Sequence, residues 1–192
     1  MWGGGALSFF GGLRIGDRVT RASEISDVTL KEGRSGPLCF VSVSHQYSTD
    51  DGPVLQERSD IVYRDAGKTS VRTADRARPG TYSRQVDPTP ALLFRYSAAT
   101  FNGHRIHYDL PYARDKEGYP GLVVHGPLQA TLLCHFAAEL KGSAPRQFSF
   151  RSLSPVFDTS SFTINAEPDG NSLHLWTAQS DGPVAMQANA TW

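Results

Sequence analysis

Cysteine is scarce in this chain: Cys39 and Cys134 are the two among 192 residues, and neither sits in a C-x-x-C pair. Two thiols so far apart make neither a disulfide framework nor a thiolate metal knuckle, and they read as reduced thiols in a cytoplasmic protein. An excess of charge of one sign is also missing. Lys+Arg and Asp+Glu stand at 19 each, so no global field draws the chain to nucleic acid or to an anionic membrane, and neither partner is expected. No apolar run approaches the ~18 residues of a membrane span. The opening Met1-Trp2-Gly3-Gly4-Gly5 has no basic stretch and is broken by glycines, so a signal peptide is not expected. What remains is a neutral chain, 39% hydrophobic, able to bury a core of its own.

Residues 13–64 read as three strands. Segments 19–30, 38–44 and 54–63 carry Val, Ile, Thr and aromatics, with turn clusters at 32–37 and 50–53 between them and no helix-period stretch. Residues 67–90 are polar, rich in Arg and Pro, and aperiodic. They are expected to form a surface connection, whose basic residues read as a solvated linker or as a phosphate-contacting flap.

The remainder, 91–192, is a more complete unit. Residues 91–100 look strand-like and lead into a polar segment, 101–120. The one convincing helix spans 127–140: Leu128, Leu132, Leu133, Phe136, Ala137 and Leu140 share a broad face, Pro127 sits at its start, and Lys141-Gly142 ends it. Strands follow at 147–155, 160–166, 172–178 and 184–192, the last alternating Val184, Met186, Ala188, Ala190 and Trp192 on one face. A strand, a long excursion, one helix and four antiparallel strands is the order of an α+β hot-dog fold, in which an antiparallel sheet wraps around one central helix.

Two motifs carry chemistry. Segment 100–109, T-F-N-G-H-R-I-H-Y-D, sets Asn102, His104, Arg105 and His107 within six positions. Segment 119–128, Y-P-G-L-V-V-H-G-P-L, brings His125-Gly126-Pro127 to the helix start, where free backbone N–H groups and positive partial charge collect. An imidazole near such an end can move a proton beside a developing oxyanion, which points to an acyl thioester as substrate. Plainer readings stand beside these. His107 could be a strand-end histidine with a backbone partner, and Asn102 a turn residue. His104 could support another imidazole, bind metal or lie on the surface. Arg105 could be a solvated charge or a clamp for a carboxylate. His125 could pack at the helix entrance, and Asp109 could orient an imidazole or serve a turn. His135, inside the helix, reads as buried and satisfied. His104, His107 and His125 lack ligand spacing on one element, so no metal is expected.

Residues 91–192 resemble a MaoC-like hot-dog dehydratase/hydratase domain. Segment 100–109 lies without a gap over that family's hydratase motif, S-G-D-x-N-P-x-H-x-D. His107 matches the catalytic histidine, Asn102 stands where the family has its aspartate, and Gly126 matches the glycine whose N–H holds the thioester oxygen. The wording of both motifs is closer still to the branch of mesaconyl-CoA and itaconyl-CoA hydratases and 3-hydroxyacyl-thioester dehydratases. The resemblance implies reversible addition of water to a 2-enoyl thioester, giving a 3-hydroxyacyl thioester without metal or other cofactor. It makes Asn102, His107 and Gly126 the catalytic set and turns His104, Arg105 and His125 toward the substrate. The expected partner is an acyl-CoA or acyl carrier protein thioester, with a short dicarboxylic acyl group if Arg105 clamps a distal carboxylate, and the expected assembly is a homodimer. Residues 13–64 resemble the back half of a preceding hot dog whose first strand and helix are absent. The expected layout is therefore a partial N-terminal half (1–66), a linker (67–90) and the hydratase domain (91–192). A hot-dog thioesterase and a catalytically weak binding or assembly subunit are the alternatives.

Overall fold

Nine strands join edge to edge in a computed structural model that describes residues 2–33, 36–64 and 75–192; the expected turn at Arg34-Ser35 and the front of the connection, 65–74, lie outside these. The strands are β1 (Trp2–Phe9), β2 (Thr20–Gly33), β3 (Gly36–Thr49), β4 (Gly52–Arg64), β5 (Tyr82–Val86), β6 (Gln147–Ser152), β7 (Phe162–Asp169), β8 (Ser172–Gln179) and β9 (Val184–Thr191). All pair antiparallel, in the order β2-β3-β4-β1-β6-β9-β8-β7-β5. Two α-helices lie between the strands in sequence, α1 (Pro90–Ala99) and α2 (Gly126–Lys141). This is the hot-dog arrangement, with α2 resting against β6, β7, β8 and β9.

The core follows from period-two and period-3.6 patterns meeting. Phe148 and Phe150 of β6, Ile164 and Ala166 of β7, Leu173 and Leu175 of β8, and Met186, Ala188 and Ala190 of β9 turn inward. Opposite them α2 buries Leu128, Leu133, Phe136 and Ala137, while Leu132 and Leu140, expected on the same face, are half-buried. Two polar side chains meet in this layer and satisfy each other. Gln129 accepts from Thr177 Oγ1 at 2.7 Å, so its buried amide is not left bare. Gly142 ends α2 in the left-handed region (φ 74°), as its place after Lys141 predicts.

The structure departs from the sequence reading at three elements. Residues 91–100 form helix α1 instead of a strand: Thr89 caps it by accepting from Leu92 N at 3.2 Å, and Pro90 opens its first turn. Leu93 and Ser97, four apart, are its buried positions. Within the stretch expected to be a connection, residues 82–86 form β5, paired along β7 at the sheet edge. The glycine-rich N-terminus is itself a strand, β1, seated between β4 and β6.

That last placement explains the glycines. A Cβ on Gly4 would stand 2.6 Å from the Phe150 carbonyl oxygen, and one on Gly5 would stand 2.5 Å from the Arg58 oxygen and 2.7 Å from Phe150 Cζ. Bare backbone is what lets the Phe150 ring cross this strand while Trp2 packs on it, centroids 4.5 Å apart. Gly5→Ala is therefore expected to destabilise the fold by about 1–3 kcal/mol through overpacking. Gly12→Ala, where a Cβ meets nothing within 4 Å, is expected to change little. Urea unfolding of the two variants checks the contrast.

Candidate active site

The chain reverses direction after α1. Phe101 takes a left-handed φ of 54° with its ring almost fully exposed, a conformation that is strained for an aromatic residue. Asn102 then closes a local turn, its Oδ1 accepting from His104 N at 3.0 Å. A single 3-10 turn, Arg105–His107, follows and buries Ile106 and His107. This turn is stitched to the entrance of α2 by two bonds of opposite sense. Val123 N donates to Ile106 O at 3.0 Å, and His107 Nδ1 lies 2.7 Å from Val123 O.

The second bond settles the tautomer. A carbonyl can only accept, so Nδ1 carries the proton and Nε2 of His107 keeps its lone pair. Burial lowers the pKa of His107 below the ordinary 6.5, and neighbouring His104 adds to the effect against the pull of the Val123 bond. His107 is thus neutral at pH 7, with a base nitrogen on offer.

His125 lies directly against it. The two rings stack with centroids 3.8 Å apart and planes within 17°. His125 is fully buried, and its Nε2 lies 2.8 Å from Ser97 Oγ on α1. Burial pushes its pKa down to about 3, with His107 and His104 contributing. Tyr96, the neighbour of Ser97, stands edge-on to His125 at 5.0 Å, and His104 stands edge-on to His107 at 5.5 Å. Four rings therefore run in contact through the site. Stacked imidazoles present parallel lone pairs rather than convergent ones. Among the described residues, no group of three or more His, Cys, Asp or Glu is arranged to hold a metal ion.

Gly126 begins α2 with Pro127 next, so its N–H has no intrahelical acceptor and lies at the positive end of the helix. The Trp2 ring and the Ser152 hydroxyl flank it: a Cβ there would lie 3.1 Å from Trp2 Cε3 and 3.5 Å from Ser152 Oγ. The Ser152 hydroxyl is buried with no hydrogen-bond partner among the described residues. From Trp2, Tyr96 and Pro127 an apolar groove of about 820 Å³ runs along α2, past Cys134 and Phe148, to the helix end. Burial raises the Cys134 thiol to about 11, which keeps it protonated.

Of the residues singled out from sequence, His107, His125 and His104 come into contact, and Gly126 follows His125 at the helix start. Arg105 is engaged elsewhere: its guanidinium bonds Asp109 Oδ2 at 2.7 Å and lies 4.2 Å over the Tyr112 ring. Asp109 also accepts from Tyr112 N, which makes it a local brace. His135, expected to be buried, is exposed on the groove wall. Tyr96, Ser97, Trp2 and Ser152 went unnoticed in the sequence. Thr89-Pro90 was the available signal for the first two, since a helix starting there carries Leu93 and Ser97 on one buried face.

Comparison with known proteins adds the family. The model of the family hydroxyacyl-thioester dehydratase type 2 matches residues 1–158. The mesaconyl-C(4)-CoA hydratase of Chloroflexus aurantiacus is 44% identical over 191 residues, covering 98% of this chain and 68% of that protein. The mitochondrial hydroxyacyl-thioester dehydratase type 2 of Schizosaccharomyces pombe is 39% identical over 92 residues, 46% of this chain and 30% of that protein. Among solved structures, a MaoC-like dehydratase from Phytophthora capsici superposes on the whole chain and on 71% of its own, with a TM-score of 0.78 at 14% identity.

The buried histidines make stability depend on pH. For His125 the folded value, about 3, lies below the 6.5 of an unfolded histidine. The stability it contributes is therefore full above pH 6.5 and is lost as pH falls toward 3. Between pH 7 and pH 5 that loss is expected to be about 2 kcal/mol, with His107 adding in the same direction. Urea unfolding at the two pH values should show a clearly smaller difference in His125→Phe than in the wild type.

Proposed function

Because the chain belongs to the hydroxyacyl-thioester dehydratase type 2 family, we propose that it adds water to, and removes it from, acyl thioesters with His107 as the group that moves the proton. The hydro-lyase class follows from the family and from the two named relatives, one a hydratase and the other a dehydratase. The observation that carries the residue assignment is the His107 imidazole itself, neutral, buried and held with Nε2 unprotonated beside the start of α2.

In the hydration direction Nε2 takes a proton from a water as its oxygen bonds the β-carbon of a 2-enoyl thioester. Electron density moves to the thioester oxygen, which accepts from the Gly126 N–H in the field of the helix end. The proton on His107 then passes to the α-carbon and leaves a 3-hydroxyacyl thioester; dehydration retraces the steps. Asn102 has its Oδ1 occupied by the turn, and its amide N–H groups remain to orient the water. An amide cannot act as a base, so one titrating group governs the rate.

The acyl group is read as short, on either CoA or an acyl carrier protein, and the mesaconyl relative favours a dicarboxylic one. For Arg105 to clamp its distal carboxylate, the guanidinium would have to exchange Asp109 for the substrate. Arg105→Ala should then raise KM for mesaconyl-C(4)-CoA while leaving crotonyl-CoA unchanged, and equal effects on both would remove the clamp. A homodimer belongs to the same reading, with Ile25, Val28, Leu30 and Tyr63, exposed on the β2 to β4 side, as the apolar surface it would bury. A cytoplasmic location is part of it too, in keeping with the two free thiols.

Loss of enoyl absorbance on hydration of crotonyl-CoA tests the reaction, with release of free CoA as the mark of a thioesterase. His107→Ala is expected to lower kcat by roughly 10²–10⁴-fold. Gly126→Pro is expected to cost roughly 10²–10³-fold, because proline is tolerated in a first helical turn but removes the N–H donor. Wild-type kcat/KM should fall below a single midpoint under pH 6.5, since protonated His107 has no lone pair to offer. Full activity in both variants would refute the assignment.

A further inference from the structure

We infer that Ser97 and His125 form a positioning unit that holds the His107 ring in the orientation its proton transfer needs, an inference that rests on the hydration reading above. His125 occupies the N-cap of α2, where a side chain usually accepts from an N–H of the first turn. It makes no such bond. Its ring is instead fully buried, tied at Nε2 to Ser97 Oγ at 2.8 Å and laid face to face on His107 at 3.8 Å. Its Nδ1 has no hydrogen-bond partner among the described residues, which costs stability in a buried site. A phenylalanine, somewhat larger, would present the same kind of aromatic face without an orphaned nitrogen, so an aromatic surface alone gives no reason for a histidine here.

What the histidine adds is the bond to Ser97, which fixes the rotation of its own ring. That fixed face in turn limits rotation of the ring stacked on it. His107 is then held twice, by Nδ1–H on the Val123 carbonyl within its plane and by His125 across its plane. With both constraints in place, Nε2 has one direction to point. Besides Ser97, the groups that face the pair include Tyr96 from α1 edge-on to His125, the Val123 carbonyl from the entrance of α2, and His104 edge-on to His107. Among the described residues neither ring is bonded to a carboxylate. Orientation that an acidic partner could give an imidazole is supplied here by a serine and a second imidazole, which leaves His107 in its neutral form.

Two readouts on the wild type, three single variants and one double variant test the unit: an NMR titration of the His107 ring, and kcat and KM on crotonyl-CoA across pH. The proteins are the wild type, Ser97→Ala, His125→Phe, His125→Ala and the Ser97→Ala/His125→Phe pair. In the wild type His107 should titrate below pH 6.5. His125→Ala, which opens one face of the ring to water, should move that titration up toward 6.5 and lower kcat about tenfold or more, with KM little changed. His125→Phe keeps the shielding face but loses the tether, so the titration should stay low while kcat falls as far as in Ser97→Ala. Adding Ser97→Ala to His125→Phe should then cost nothing further.

An unmoved titration together with unchanged kcat in these variants overturns the unit, and an effect on KM alone makes His125 a substrate contact instead. The NMR arm needs no turnover. Titration shifts in a protein that hydrates no enoyl thioester would leave the unit standing and remove the hydration reading, whereas turnover with an unmoved titration in His125→Ala would do the reverse. His125→Phe, which keeps an aromatic ring in place, and Ser97→Ala, which removes one oxygen, carry the test if His125→Ala does not fold.

Discussion

The bond between His107 Nδ1 and the Val123 carbonyl, 2.7 Å long across sixteen residues of sequence, joins the two segments from which the site is made. One is the excursion that leaves α1; the other leads into α2. Without that link the 3-10 turn at Arg105–His107 would be a surface turn and its imidazole a solvated one. With it, the ring is drawn beneath the start of the helix, its tautomer is set, and its free nitrogen is available to a base's task. The partner bond from Val123 N to Ile106 O makes the link a two-stranded stitch, stiffer than one contact. The entrance segment is itself anchored, since Leu122 and Val124 bond Asp158 and Val156 in the chain that leads to β7.

The site is assembled at a cost that the rest of the fold offsets. A non-glycine residue in the left-handed region, an imidazole buried with one nitrogen unpartnered and a buried serine hydroxyl without a bond fall within a few residues of one another in space or sequence. Each disfavours the native state. They are sustained by the layer in which α2 lies on four strands, where aliphatic and aromatic side chains interdigitate and the buried amide of Gln129 is satisfied. Rigid packing and local strain are thus complementary here: the packed layer holds α2 still, and the helix start holds the histidines where they would not otherwise stay.

The sheet extends this logic to the N-terminal half. β1 pairs with β4 on one side and β6 on the other, so β2, β3 and β4 form a continuation of the sheet that carries the site. Trp2 at the start of β1 reaches Phe150 and Gly126, which makes the first residues of the chain part of the wall beside the helix start. A strand with three glycines among its first four residues has little intrinsic preference for its conformation. Its neighbours impose it.

Much was legible in the sequence alone. The caps of α2, Pro127 and Gly142, and the alternation of β6 to β9 declare themselves because local propensity and tertiary packing agree there, and that agreement was enough for the hot-dog fold. The two motifs, read together and in order, were enough for the family. Helix α1 was legible in principle from Thr89-Pro90 but was masked by the apolar run Ala91-Leu92-Leu93-Phe94, which suits a strand as well as a helix. β1 was not legible, because its reason lies in the Phe150 ring and the Arg58 carbonyl across the sheet. Nor could spacing show that His125, twenty-eight residues from Ser97, would turn from capping its helix to stacking on His107. Sequence determined which chemical groups were present and the elements that carry them, since those depend on near neighbours. The tautomer of His107, the neutrality of the histidine pair and the occupation of Arg105 by Asp109 were decided only by tertiary structure, because burial and hydrogen bonding are set by residues that the chain brings together from a distance.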